Sequence, residues 1–159
     1  MPGAAELPAE QAPEQHLAFR LGEECYGLPL EGVREIVRVP PLTEVPRAAP
    51  NLLGVMNLRG EVLPVYDLKV RLRLSLAAAK VAGPDADPKA VPRSARVVVV
   101  RSPEGDAGVL VDAVLEVLRV PPSAIEPPPA GSAERGCIAG LARRKGSLCI
   151  LLDPKEVLA

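Results

Sequence analysis

Residues able to act as nucleophiles, metal ligands or phosphate cradles are few in this 159-residue chain and poorly spaced for such work. Nucleophilic catalysis needs a serine or cysteine with a base beside it. The single histidine, His16, has no such neighbour and reads as an exposed residue at the start of a strand. Cys25, Cys137 and Cys149 are far apart, with neither Cys-x-x-Cys spacing nor paired histidines, and read as small apolar fillers. Glycines such as Gly54, Gly60, Gly105 and Gly108 occur singly, so the clustered amides that bind phosphate are missing. No catalytic residue, metal or cofactor is expected. The pattern is that of a binding module.

Two polar residues stand out by their placement. Alternation along Val33–Val39 sets Val33, Glu35, Val37 and Val39 on one face, with Arg34, Ile36 and Arg38 on the other. A carboxylate thus interrupts an apolar stripe. It must reach water at a rim or meet a cation, because an unpaired buried carboxylate is costly. A bulge that turns Glu35 outward is the plain alternative. Further on, Asn57-Leu58-Arg59-Gly60 separates two apolar stretches and presents a guanidinium at a loop tip. A solvated arginine is the simplest reading. Yet a loop on a rigid scaffold is where a partner is held, and the planar fork of arginine suits carboxylates. A rim ion pair between Glu35 and an exposed Arg59 is what these placements predict.

The elements that must carry these residues are strands. Apolar residues make up 48% of the chain and charged residues 25%, enough for a core. With no Trp, one Phe and two Tyr, that core is built from Val, Leu, Ile and Ala, which favour strands where they alternate. A formal net charge of −1 supplies no field for a phosphate backbone, and 2% aromatics supply no stacking platform. Nucleic acid is therefore not expected as a partner. No apolar run approaches the roughly 18 residues of a membrane span, so direct membrane insertion is not expected either. Residues 1–15 read as a disordered leader, and Met1–Glu14 lacks the basic and apolar segments of a signal peptide, which points to the cytoplasm.

Strands are predicted over His16–Leu21 and Cys25–Leu30, a hairpin turning at Gly22-Glu23-Glu24. Others cover Val33–Val39, Glu61–Tyr66, Ala95–Arg101, Ala107–Val111, Ala113–Val120 and Leu148–Leu152. Four consecutive valines within Ala95–Arg101 indicate burial on both faces. Val45–Pro50 reads as an extended crossing, and Asn51–Leu58 as a short helical turn ended by Arg59-Gly60. Asp67 caps a turn or two of helix through Leu72, and Asp153-Pro154 opens a short C-terminal helix. Ser75–Ser94 has no pattern and reads as a linker.

The chain also repeats itself. Gly27 to Pro41 aligns with Gly108 to Pro122 at an offset of 81, so Glu35 matches Glu116. Gly54, Gly60 and Asp67 align with Gly140, Gly146 and Asp153 at an offset of 86, which sets Lys145 opposite Arg59. The difference fits a loop insertion near Gly131–Gly136. Two such repeats imply two similar β-subdomains, each too small to stand comfortably alone, packed together.

At these residues the chain resembles the CheW family, the coupling proteins of bacterial chemotaxis arrays. The pieces that carry the resemblance are Tyr26-Gly27, Val33-Arg-Glu35-Ile36, Pro46 to Gly60, Val62-Leu-Pro64-Val-Tyr-Asp67-Leu68, Val97–Val100, Gly108 to Val114, Ile125-Glu-Pro127, Gly140-Leu141 and Leu148–Asp153. The resemblance covers residues 16–159 and implies an all-β fold of two pseudo-symmetric, SH3-like five-stranded barrels with short helices around a shared core. The first barrel would run over residues 16–74 and the second over 95–152, joined by the 75–94 linker and followed by the 153–159 helix, with strand exchange between barrels left open. It implies no enzyme activity and no cofactor. The partners it implies are the cytoplasmic tip of a chemoreceptor and the regulatory domain of a CheA-type histidine kinase, met at membrane-associated receptor arrays. Glu35, Gly54, Asn57, Leu58, Arg59 and Gly60 would serve the receptor, and Gly108 and Val114 the kinase. An adaptor of a gliding-motility or developmental two-component pathway, built on the same scaffold, is the alternative.

Overall fold

Alternating aliphatics broken by turn residues produce ten strands among the residues that the computed structural model describes, 13–72, 93–127 and 138–157. They are β1 (Glu14–Leu21), β2 (Glu24–Pro29), β3 (Val33–Arg38), β4 (Leu52–Leu58), β5 (Glu61–Asp67), β6 (Arg96–Val100), β7 (Ala107–Val111), β8 (Ala113–Val120), β9 (Ile138–Arg144) and β10 (Ser147–Leu152). Two short helices follow the last strand of each repeat, α1 (Leu68–Arg71) and α2 (Pro154–Val157). Each is started by an aspartate: the amide of Lys69 donates to Asp67 Oδ1 at 2.9 Å, and that of Lys155 to Asp153 Oδ1 at 3.0 Å.

The strands form two five-stranded sheets. Barrel I has the order β8-β1-β2-β10-β9 and barrel II the order β3-β6-β7-β5-β4. Replacing each strand of one order by its counterpart in the other repeat reproduces the second order. Each barrel therefore takes the first two strands of one repeat and the last three of the other, so the division between barrels does not fall at the linker. Four pairings make the exchange: β1 with β8 and β3 with β6 antiparallel, and β2 with β10 and β5 with β7 parallel. Gly27 and Gly108 stand at matching points of the parallel junctions. A Cβ on Gly108 would lie 2.6 Å from Val97 Cγ1, so glycine is needed there for the close approach, while one on Gly27 would lie 2.9 Å from Leu151 Cδ2, the movable end of a side chain.

Three apolar clusters follow from strand alternation. Leu17, Phe19, Leu21, Tyr26 and Leu28 of one sheet meet Val98, Val100, Val109 and Val111 of the other in a core between the barrels. Val97 and Val99 point the opposite way, into barrel II with Met56, Leu63 and Val65. Hence all four valines of β6 are buried. Barrel I is filled by smaller side chains, Ala18, Ala142, Cys149, Leu151 and Val120.

Some expectations are corrected. Asn51–Leu58 is not a helical turn: Leu52–Leu58 is strand β4, paired with β5 from Leu52↔Tyr66 to Leu58↔Glu61. Buried Gly54 and Met56 alternate with more open neighbours, and pairing overrides local propensity. Val45–Pro50 is not one extended crossing. It folds into successive turns, with the Ala48 amide donating to Val45 O and the Leu52 amide to Ala49 O, and Arg47 at φ 60°. β9 is a strand that the local sequence did not announce. The insertion, the linker up to residue 92 and all but the end of the leader lie outside the described residues.

Candidate functional site

Barrel II is closed at an exposed turn. β3 and β4 are the two edges of its sheet, and β4 leads into β5 through Arg59-Gly60. Both turn residues have positive φ, 50° and 89°, as a two-residue hairpin of right-handed twist requires. The Gly60 amide donates to Asn57 Oδ1 at 2.9 Å and so fixes the turn from the inside. Arg59 is thereby held at the tip, with its side chain 67% exposed, and its Nη2 reaches Glu35 Oε2 on β3 at 2.5 Å. The ion pair bridges the first and last strands of the sheet.

Glu35, at 23% side-chain exposure, shares a face with Val37 and Val39, but the bulge between Val33 and Glu35 breaks the expected alternation and turns Val33 to the opposite face, against the core between the barrels. The residue displaced by that bulge is Arg34. Its Nη1 donates to Asp106 Oδ2 at 2.9 Å and to Glu61 Oε1 at 3.1 Å, and its Nε lies 3.4 Å from Glu35. Glu35 thus sits between two guanidiniums. Arg34, Glu61 and Asp106 were not found from sequence. A bulged arginine beside the singled-out glutamate was the available signal, but its partners lie 27 and 72 residues away.

The other predicted residues serve the same turn from within. Leu58 is half-buried and packs against the interior of barrel II. Gly54 is buried, and a Cβ there would lie 2.6 Å from the carbonyl oxygen of Thr43, which pairs with Val55 on β4 in both directions at 2.9 Å. Gly108 and Val114 are not brought to this site. Gly108 is buried at the β5–β7 junction, and Val114 is half-buried against the shared core.

Barrel I repeats the seam with different residues. Its edges are β8 and β9, and Glu116 on β8 accepts from Arg144 Nε at 2.6 Å, while Lys145 Nζ lies at 3.8 Å. The cation therefore comes from one position earlier than the Lys145 that sequence alignment sets opposite Arg59. Arg143, more exposed, lies 3.6 Å from Glu126.

His16 is buried, not an exposed strand start. β1 begins two residues earlier, and position 16 faces inward, where its Nε2 stands 3.4 Å from Glu14 Oε2. Cys149 is buried and Cys25 half-buried inside barrel I; Cys137 lies outside the described residues. Among the described residues there is no group of three His, Cys, Asp or Glu side chains able to hold a metal, and no helix long and apolar enough to cross a membrane.

Two clasped sheets, each with its first and last strands joined by an ion pair at a protruding turn, define a rigid all-β scaffold that offers turns to partners. Known proteins share it. Residues 15–159 match the family model described as the CheW-like domain. Chemotaxis protein CheW of Rhizobium meliloti (strain 1021) is 33% identical over 144 residues, covering 89% of this chain and 84% of that protein. Protein FrzA of Myxococcus xanthus is 40% identical over 127 residues, covering 79% and 71%. The crystal structure of the scaffolding protein TtCheW from Thermoanaerobacter tengcongensis aligns with a TM-score of 0.74 at 30% identity, covering 89% of each chain. The chain belongs to the CheW-like family, the coupling proteins of chemotaxis signal transduction.

Proposed function

We propose that this chain links the cytoplasmic tip of a chemoreceptor to the regulatory domain of a CheA-type histidine kinase, and that it does so by geometry, without chemistry of its own. The observation that carries the reading is the exposed Arg59 held on a stiff turn. Glu35 orients its guanidinium and leaves donors free for a carboxylate on a receptor helix. Asn57 and Gly60 set the turn, while Leu58 and Gly54 anchor it to the barrel.

For the kinase, support comes from a repeated apolar surface. Ile36 and Val62 are exposed on barrel II, and their repeat counterparts Val117 and Leu148 are exposed on barrel I. Exposed aliphatics at matching positions suit docking onto another β-domain. Gly108 and Val114 act on the kinase contact from inside, by fixing the barrels that carry these surfaces. The protein works in the cytoplasm at receptor arrays.

The test is kinase phosphorylation measured with receptor fragments, kinase and this protein together. Arg59→Glu should abolish receptor-dependent control while purified kinase is still retained. Val62→Asp and Leu148→Asp should weaken kinase retention. Full receptor control with Arg59→Glu would overturn the receptor assignment. The second reading, an adaptor for gliding motility or development, shares the scaffold, and the cognate kinase captured by the protein decides between them.

A further inference from the structure

Barrel I contains a pair of thiols that its partner barrel lacks. Cys25 on β2 and Cys149 on β10 are direct register partners in the parallel pairing that joins the two repeats. Neighbouring strands run about 4.8 Å apart, inside the roughly 4.4–6.8 Å range of Cα separations that a disulfide spans. Both side chains turn into the same cluster, among Ala18, Ala142 and Leu151. The Cys25 Sγ also lies 4.0 Å from the Tyr26 carbonyl oxygen. At the matching positions of barrel II stand Asp106 and Leu63, so the fold does not need cysteines at this junction.

We propose that Cys25 and Cys149 are a modification site, closing to a reversible disulfide when the protein meets a hydroperoxide. Cys25 is the half-buried member and the one a small oxidant reaches. Interaction with the Cys149 side chain holds the Cys25 thiol below its ordinary value, and the Arg144 guanidinium pulls in the same direction. That favours the reactive thiolate. The same interaction, with burial, pushes the Cys149 thiol up, so Cys149 is the resolving member. The Cys25 thiolate attacks the distal peroxide oxygen, the O–O bond breaks, and a proton leaves with the departing alcohol or water, giving a sulfenic acid. Cys149 then attacks that sulfur and displaces its oxygen as water. Two thiols and one hydroperoxide give one disulfide, one alcohol (or water) and one water, with two electrons passing from the sulfurs to the peroxide. Side chains on neighbouring parallel strands lie side by side and do not face each other, so the bridge is strained. A strained disulfide is reopened readily by glutathione or a dithiol reductase. While closed, it ties the first repeat to the second covalently.

The inference rests on strand register and is independent of the proposed partners. It is tested on the full chain treated with hydrogen peroxide, blocked by alkylation and digested with trypsin. The three cysteines fall in separate peptides, 21–34, 136–143 and 146–155. The expected product joins 21–34 to 146–155 with loss of two hydrogens, forms equally in Cys137→Ser, and disappears with dithiothreitol. Cys149→Ala should trap Cys25 as a sulfenic acid that dimedone labels, and Cys25→Ala should leave Cys149 reduced. A dominant bridge to Cys137 would overturn the proposal. So would Cys25 overoxidised to sulfinic acid in the unmutated protein, with no cross-linked peptide.

Discussion

The two barrel seams occupy equivalent places in the fold and do different work. In barrel II the carboxylate of Glu35 meets an arginine at the tip of the turn, 67% exposed, with donors left over. In barrel I the carboxylate of Glu116 meets Arg144, which is only 22% exposed and lies in the strand before the turn, while Lys145 at the tip is 3.8 Å away. One residue of displacement turns a presented guanidinium into a staple. A duplicated scaffold thus keeps the closure in both halves and presents a guanidinium at the tip of the turn in only one.

A large effect should come from a glycine at one of the exchange junctions. Gly108→Ala forces a Cβ to 2.6 Å from Val97 Cγ1, a buried β-branched side chain with no slack. It should cost about 3 kcal/mol in urea unfolding. Gly27→Ala meets the far end of Leu151 at 2.9 Å, which can swing aside, and should cost about 1 kcal/mol. Equal midpoints for the two variants would mean that the repeats are equally tight, against the packing described.

The interiors differ next. Met56 in barrel II is fully buried, and its repeat counterpart in barrel I is Ala142. Met56→Ala should lose about 2–5 kcal/mol, the range for emptying a core site of that size. Ala142→Met should cost about 1–3 kcal/mol through overpacking of the smaller barrel. Chemical denaturation of both variants measures the two values, and a neutral Ala142→Met would show unfilled space in barrel I.

Much of this architecture was legible because its signals are local. The four valines of β6, the two aspartate caps and the alternation that sets Glu35 with Val37 depend on residues within one element. The Glu35–Arg59 pair was legible because a carboxylate in an apolar stripe requires a cation, and a glycine-flanked arginine was the visible candidate. What stayed hidden depends on pairing across the chain. Leu52–Leu58 reads as a helical turn until β5 is placed beside it, and β9 has no clear alternation of its own. The strand exchange turns on pairings between strands that lie far apart in sequence. His16 was misjudged for the same reason: its burial follows from where β1 starts and from what covers position 16.

Charge reversal separates presentation from stapling. Arg59→Glu and Glu35→Arg should each lower receptor affinity tenfold or more, and the double exchange should recover part of it. Their cost in stability should stay within about 1 kcal/mol, since the arginine is solvated. Arg144→Glu should leave receptor affinity near that of the unmutated protein and instead lower the unfolding midpoint. A double-mutant cycle with no recovery at Glu35 and Arg59 would break the distinction between the two turns.

The smallest difference lies within barrel I itself. Arg143 and Arg144 are adjacent in β9, so their side chains leave opposite faces of the strand. Arg144 turns to Glu116 across the seam, its 2.6 Å contact shielded from water on most sides. Arg143 stays in solvent at 70% exposure, 3.6 Å from a Glu126 that is itself exposed. Removing Arg143 as alanine should change stability by less than about 0.5 kcal/mol, because an exposed pair gains little over its hydration. Arg144→Ala removes a charged hydrogen bond and reopens the edge, which should cost about 1–2 kcal/mol. Thermal unfolding of the two alanine variants at low and at high salt reads both values. Salt should erase whatever Arg143 contributes and leave most of the Arg144 effect, since screening reaches exposed charges first.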